Sequence, residues 1–142
     1  MNGPPPQTQS PSQLGAGGKS RVRFPRAARL LRHVDFERVY QQGQRHFARH
    51  MTLFFLPRAE GGSRIGFTVG RVLGGAVERN RIKRRLREAV RRERGRLGTG
   101  VDVVVNPKKS VERAEFTEIL EEFRRAFDAI SAKLRSGSKS GR

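Results

Sequence analysis

The chain has 142 residues, 35% of them hydrophobic, and its 31 Lys and Arg against 13 Asp and Glu give a formal net charge of +18. That length fits one domain with room for tails, and the absence of Cys excludes a disulfide framework and thiolate zinc sites. No apolar run approaches the roughly 20 residues that span a bilayer and the first residues lack a signal-type apolar core, so a cytoplasmic protein with no membrane partner is expected. A surplus of positive charge this large repels itself and calls for an acidic partner, of which nucleic acid is the commonest large one.

In chain order, residues 1–25 open with "MNGPPPQTQSPSQLGAGGKS". This Pro, Gln, Ser and Gly extension buries too little apolar surface to offset chain entropy, and it is expected to be disordered. "HVDFERVYQQG" predicts a short helix with Asp35 as N-cap, Phe36, Val39 and Tyr40 on one face, and Gly43 as its stop. "ARHMTLFFLP" alternates, sending Met51, Leu53 and Phe55 one way and Thr52 and Phe54 the other. Residues 44–56 have room for an additional strand if the segment bends. After the turn "EGGS", "RIGFTVGR" alternates again, with Ile65, Phe67 and Val69 opposite Gly66, Thr68 and Gly70. A helix follows over residues 76–96. The Val run of "VDVVVNP" predicts a central strand. A last helix begins at Ser110 or a neighbour and aligns Phe116, Ile119, Leu120, Phe123, Phe127 and Ile130. Residues 26–134 thus make the folded domain, and residues 135–142 a flexible basic tail.

The helix over residues 76–96 is the most charged stretch. Residues 77–96 hold ten Lys or Arg against three Glu. Ile82, Leu86, Ala89 and Val90 form the stripe that packs on a sheet, and Arg84, Arg87 and Arg91 fall on the opposite side at 100° per residue. Too few acids lie inside the helix to soften the repulsion, so an external polyanion is the economical neutraliser. Lys and Arg bind phosphates through counterion release, and the excess of Arg suits bidentate contacts. A membrane surface fits less well, because this helix has no broad Trp, Phe or Leu face.

The outward face of the sheet carries Thr52, Phe54, Gly66, Thr68 and Gly70, an open trough with one aromatic in it. Phe36 and Tyr40 either pack as ordinary core residues or wall that trough, where unpaired bases would stack. Enzyme chemistry is not legible. There is no Cys nucleophile, no phosphate-cradling glycine loop and no small-molecule site. His33, His46 and His50 lack metal-ligand spacing, and His46 and His50 are expected to be solvent-exposed. Six acids of the last helix, from Glu112 to Asp128, read as its solvated face.

The segment "RIGFTVGRVLGGAVERNRIKRR" resembles the bacterial ribonuclease P protein component. Arg79, Asn80 and Arg81, followed by Ile82 and Lys83, match that family's Arg-Asn-Arg element. Gly74 to Val77 match the step before it, and Arg64 to Val69 match the preceding strand. "DFERVYQQG" and the stretch from Val101 to Phe127 extend the likeness to about residues 29–130. Val72 stands where the family usually has a second basic residue, Gly75 where Asn or Lys is common, and Pro107 where a small residue is usual.

The resemblance implies an α+β fold of ribosomal protein S5 domain 2-like type. This is an αβββαβα two-layer sandwich with a left-handed βαβ crossover, against the usual hand. It also implies a protein subunit of a ribonucleoprotein enzyme, in which a catalytic RNA removes the 5′ leader of precursor tRNA with Mg²⁺ bound mainly by the RNA. The protein is then expected to have no catalytic residue, and the sequence assigns it no metal ligand, leaving direct ligation of Mg²⁺ by the protein open. Arg71, Arg79, Asn80, Arg81, Lys83, Arg84 and Arg87 would contact the catalytic RNA and the cleavage-site region. Phe36, Tyr40, Thr52 and Phe54 would line the leader groove of precursor tRNA. A stand-alone RNA-binding protein on the same fold and a protein-only nuclease are the other readings. The first predicts no preference for precursor tRNA, and the second needs a carboxylate cluster that the sequence lacks.

Overall fold

A computed structural model describes residues 28–30, 32–98 and 100–139, with side chains through Arg135. The expected disordered extension, residues 1–25, lies outside the described residues. The elements are α1 (His33–Gln42), β1 (Gln44–Phe47), β2 (Met51–Pro57), β3 (Arg64–Phe67), α2 (Ala76–Glu93), β4 (Val101–Pro107) and α3 (Phe116–Lys139). The bend that makes room for β1 falls at residues 48–50, where Ala48 N–H donates to the Met51 carbonyl at 2.9 Å. The sheet order is β1-β2-β4-β3, with β1–β2 and β2–β4 antiparallel and β3–β4 parallel.

Alternation decides the layers. Met51, Leu53 and Phe55 of β2 share one face with Ile65 and with Val101, Val103 and Val105. That face is covered by Ile82, Leu86, Ala89 and Val90 of α2 and by Ile119, Phe123, Phe127 and Ile130 of α3. Val104 points to the other face, where it meets Val39 of α1, Leu30, and the partly buried Phe36, Phe54 and Leu56. Both faces of β4 are therefore covered, as its Val run requires. α1 adds a third, partial layer.

The hand of the β3–α2–β4 crossover follows from Val105. Its side chain enters the core under α2, while its carbonyl accepts the Thr68 N–H at 3.0 Å on the β3 side. View an L-residue with the strand running upward and the side chain toward the observer; its N–H and C=O then point right. β3 thus lies to the right of β4 when seen from α2, and the path crosses leftward in front of the sheet. The crossover is left-handed, against the hand that packs most easily.

Three local expectations are corrected. Asp35 is not the N-cap of α1; Arg32 is, and its side chain makes no capping bond. Asp35 lies inside the first turn, where its buried carboxylate pairs with Arg38 at 3.2 Å and Arg64 at 3.5 Å. A tertiary ion pair has claimed the group that would have capped. Ser110 does not start the last helix either. Its hydroxyl is committed to His50 Nδ1 at 2.8 Å, and a 3₁₀ turn over Lys109–Arg113 precedes α3. The helix begins once Glu118 accepts the Glu115 N–H at 3.0 Å, and it extends past Arg135 to Lys139. Finally, His50 is only 5% exposed. Its backbone N–H donates to Glu122 at 3.0 Å, so the bend between β1 and β2 is tied to α3. Gly43 ends α1 as expected, and only glycine fits there: a Cβ would stand 2.5 Å from the Val39 carbonyl oxygen and 2.6 Å from that of Phe55.

Candidate nucleic-acid interface

The basic helix is sorted by tertiary structure into two halves. Its N-terminal turn is built by Gly74, whose φ of 121° belongs to glycine, and by Glu78, which accepts the Gly75 N–H at 3.0 Å. Arg79 braces this turn by donating Nε–H to the Gly74 carbonyl at 3.2 Å. Buried Leu73 anchors the preceding 3₁₀ turn and leaves Arg71 and Val72 outside. Asn80, Arg81, Arg84 and Arg87 are exposed and Lys83 is half-buried. None of Arg71, Arg81, Lys83, Arg84 and Arg87 makes an ion pair with a described residue. The positive end of the helix dipole adds to them.

Within that stretch Arg85 alone turns inward, to the carbonyls of Val111 and Ala114. Beyond Arg87 the cations are engaged. Arg91 and Arg92 both bond Glu88, the latter at 2.9 Å, so Arg91 belongs to an ion-paired side rather than to the open face. Arg96 pairs with Glu93 at 2.9 Å and Asp128 at 3.1 Å. Unneutralised charge is thus concentrated on α2 from its N-terminus to Arg87.

Glu88 sets this boundary. Hydrogen bonds from Arg91 first, and then from Arg92, hold its carboxyl below the ordinary value of 4.5. The lowered value means that its stabilising contribution is present above about 4.5 and is lost as pH falls through the lowered value. Glu88→Gln is expected to free both guanidiniums. Stability would drop by a few tenths of a kcal/mol, and the salt slope of RNA binding would rise by about one. Binding isotherms over a range of salt, with a thermal melt of each protein, check both effects.

On the opposite face of the sheet, Tyr40 is 37% exposed, and its hydroxyl donates to Asn106 Oδ1 at 2.9 Å beside Thr68 Oγ1 at 3.3 Å. Its ring meets Phe54 edge-on, 4.9 Å between centroids. Thr52 pairs with Asn106 across the β2–β4 ladder. Tyr40, Phe54, Thr52, Asn106 and Thr68 therefore form one open patch beyond the end of α1. Phe36 is not part of it. Gly66, read from sequence as open trough, is buried under Phe36: a Cβ there would stand 2.5 Å from Phe36 Cζ and 2.9 Å from the Leu30 carbonyl oxygen. Phe36 lines instead a cavity of about 220 Å³, which Lys83 and Arg87 enter from α2. It sits at the junction between the sheet face and the basic helix. Asn106 and Arg45 escaped the sequence reading, because only strand register shows which face they join.

α1 is held over the sheet by a buried ionic knot. Arg64 donates two hydrogen bonds to Asp102, both 2.8 Å, and its guanidinium pKa is raised chiefly by that contact. Asp35 and Arg58 complete the knot at 3.5 Å and 3.7 Å.

A bare cationic half-helix beside an open sheet face with aromatic and amide groups has the chemistry that nucleic-acid-binding surfaces use. Among the described residues no three His, Asp or Glu are grouped as metal ligands. The sequence profile of the Ribonuclease P family matches residues 24–131. A ribonuclease P protein component from Desulfovibrio desulfuricans is 43% identical over 91 residues, covering 63% of this chain and 70% of the relative. One from Citrifermentans bemidjiense is 34% identical over 110 residues, covering 78% and 94%. The solved ribonuclease P protein of Thermotoga maritima superposes with a TM-score of 0.63 at 29% identity, covering 79% of this chain and 98% of that one. The Staphylococcus aureus protein gives 0.63 at 26% identity, covering 70% and 92%. The chain belongs to the ribonuclease P protein family. Members are protein components of a ribonucleoprotein endoribonuclease that matures the 5′ end of tRNA. The RNA subunit is the catalyst and the protein's partner.

Proposed function

We propose that residues 26–134 bind the catalytic RNA and the cleavage-site region through Arg71, Arg79, Asn80, Arg81, Lys83, Arg84 and Arg87. The same domain holds the single-stranded 5′ leader of precursor tRNA against Tyr40, Thr52 and Phe54, with Phe36 at the inner end. The observation that carries this reading is the sorting of α2, which leaves its cations bare only on the half adjoining Phe36. Two RNAs meeting there would be neutralised from two sides. The one carboxylate on the bare half of α2, Glu78, is engaged by the Gly75 N–H at 3.0 Å, so the Mg²⁺ that assists cleavage would be held by RNA oxygens. The protein's effect on rate would come from positioning and from screening phosphate repulsion. The setting is the cytoplasm.

The test is cleavage of precursor tRNA at low Mg²⁺, with the cognate catalytic RNA present or absent. Turnover is expected only when protein and RNA are combined. Tyr40→Ala should weaken binding of precursor tRNA about 10-fold, the loss of one modest stacking contact, and leave mature tRNA unaffected. Equal losses for both substrates would mean that Tyr40 does not hold the leader.

A further inference from the structure

The sheet face that holds Tyr40 and Phe54 continues to the β1 edge. The registers place Phe47 opposite Thr52, Thr52 opposite Asn106, and, by continuation of the β3–β4 ladder, Asn106 opposite Thr68. One row therefore runs Thr68–Asn106–Thr52–Phe47 across all four strands. It crosses three strand spacings, roughly 14 Å. Arg45 stands opposite Phe54 in the neighbouring row. Its guanidinium carbon lies 5.8 Å from the Phe54 ring centre and 5.9 Å from that of Phe47.

Phe47 is 68% exposed. An isolated surface phenylalanine needs no explanation. This one differs because a cation with no ion pair to a described residue lies within 6 Å of it and of a second ring on the same face. Two rings sharing one guanidinium offer stacking surfaces next to a phosphate-binding group. The surface ends there. Beyond Phe47 lies a cleft of about 710 Å³ against α3. Its charged groups are already matched, Arg49 with Glu118 at 3.9 Å and Arg125 with Glu121 at 3.4 Å, so it presents a phosphate with no unmatched cation.

We propose that Phe47 and Arg45 form the outer end of the single-strand groove, holding a leader nucleotide distal to the cleavage site. This deepens the leader-binding reading and rests on it. The row begins at Thr68, at the end of β3 that leads into the bare half of α2. The strand would therefore run from the cleavage region across β4 and β2, and its far end would stack on Phe47. Arg45 would contact the phosphate between the bases at Phe54 and Phe47.

The experiment measures affinity of the reconstituted holoenzyme for precursor tRNAs with leaders of graded length. Phe47→Ala is expected to lower affinity about 5- to 10-fold, the lower range for one exposed stacking base, and only for leaders long enough to reach β1. Phe47→Tyr should restore it, and Arg45→Gln should show the same length threshold. Tyr40→Ala marks the inner position and should act already on shorter leaders. If Phe47→Ala is silent at every length while Tyr40→Ala is not, the outer site is overturned and the groove stands. If neither variant depends on leader length, the groove itself falls. A Phe47→Ala loss that is equal for all leaders would assign the residue to another contact and also overturn the proposal.

Discussion

Replacing Arg81, Arg84 and Arg87 together by alanine is expected to weaken binding to ribonuclease P RNA by about two orders of magnitude at physiological salt, without unfolding the protein. Three phosphate contacts are lost, each contributing about 0.9 to the slope of log affinity against log salt. The slope itself should fall by about three. Folding is spared because all three side chains are exposed and make no ion pair with a described residue. Arg92→Ala is the control. That guanidinium is already bonded to Glu88 at 2.9 Å, so its removal should change affinity and slope much less. Salt titrations of RNA binding separate the two cases. An Arg92→Ala loss as large as one-third of the triple effect would mean that α2 charge acts as a bulk field, with no open and matched halves.

The largest effect on stability is expected at Asp102. This carboxylate is 2% exposed and takes two hydrogen bonds from Arg64, with Arg58 beside it. Asp102→Ala should cost about 3 kcal/mol, because a partly buried guanidinium loses its bidentate partner and a polar void opens. Asp35 remains near Arg64 and keeps the loss at the lower end of the range for broken buried pairs. For a domain of this size the melting temperature should drop by roughly 10 °C. Replacing both partners, Asp102→Leu with Arg64→Met, should recover most of the loss, since no buried charge is then left unmatched. A single substitution that leaves the melting temperature within about 2 °C would show that the knot contributes no net stability. Because the knot ties α1 to the sheet, Asp102→Ala should also blunt leader preference before it affects binding through α2.

Much of the fold was legible because burial follows period. The stripe of Ile82, Leu86, Ala89 and Val90 appears in the core as its spacing requires. So do the inward residues of β2 and the central placement of the Val-rich strand. The misreadings share one cause, a polar group claimed by a residue distant in sequence. Local pattern makes Asp35 a cap, but Arg64 claims it; it makes Ser110 a helix start, but His50 claims its hydroxyl; and it leaves His50 on the surface, where Glu122 and Ser110 enclose it.

The interface divides along the same line. Charge composition and the Arg-Asn-Arg stretch were enough to point to a polyanion and to a family, because net charge and local motif are properties of the chain in order. Which cations are bare is not such a property. It depends on Glu88, Glu93 and Asp128 reaching particular arginines, and on Arg85 turning inward to two carbonyls. In the same way, alternation placed Thr52 and Phe54 on one face, but only strand register joined them to Asn106, Thr68, Arg45 and Phe47. Periodicity determines the face on which a residue lies. Its neighbours on that face are decided when the strands pair and the helices dock, since those contacts join parts of the chain that no local pattern connects.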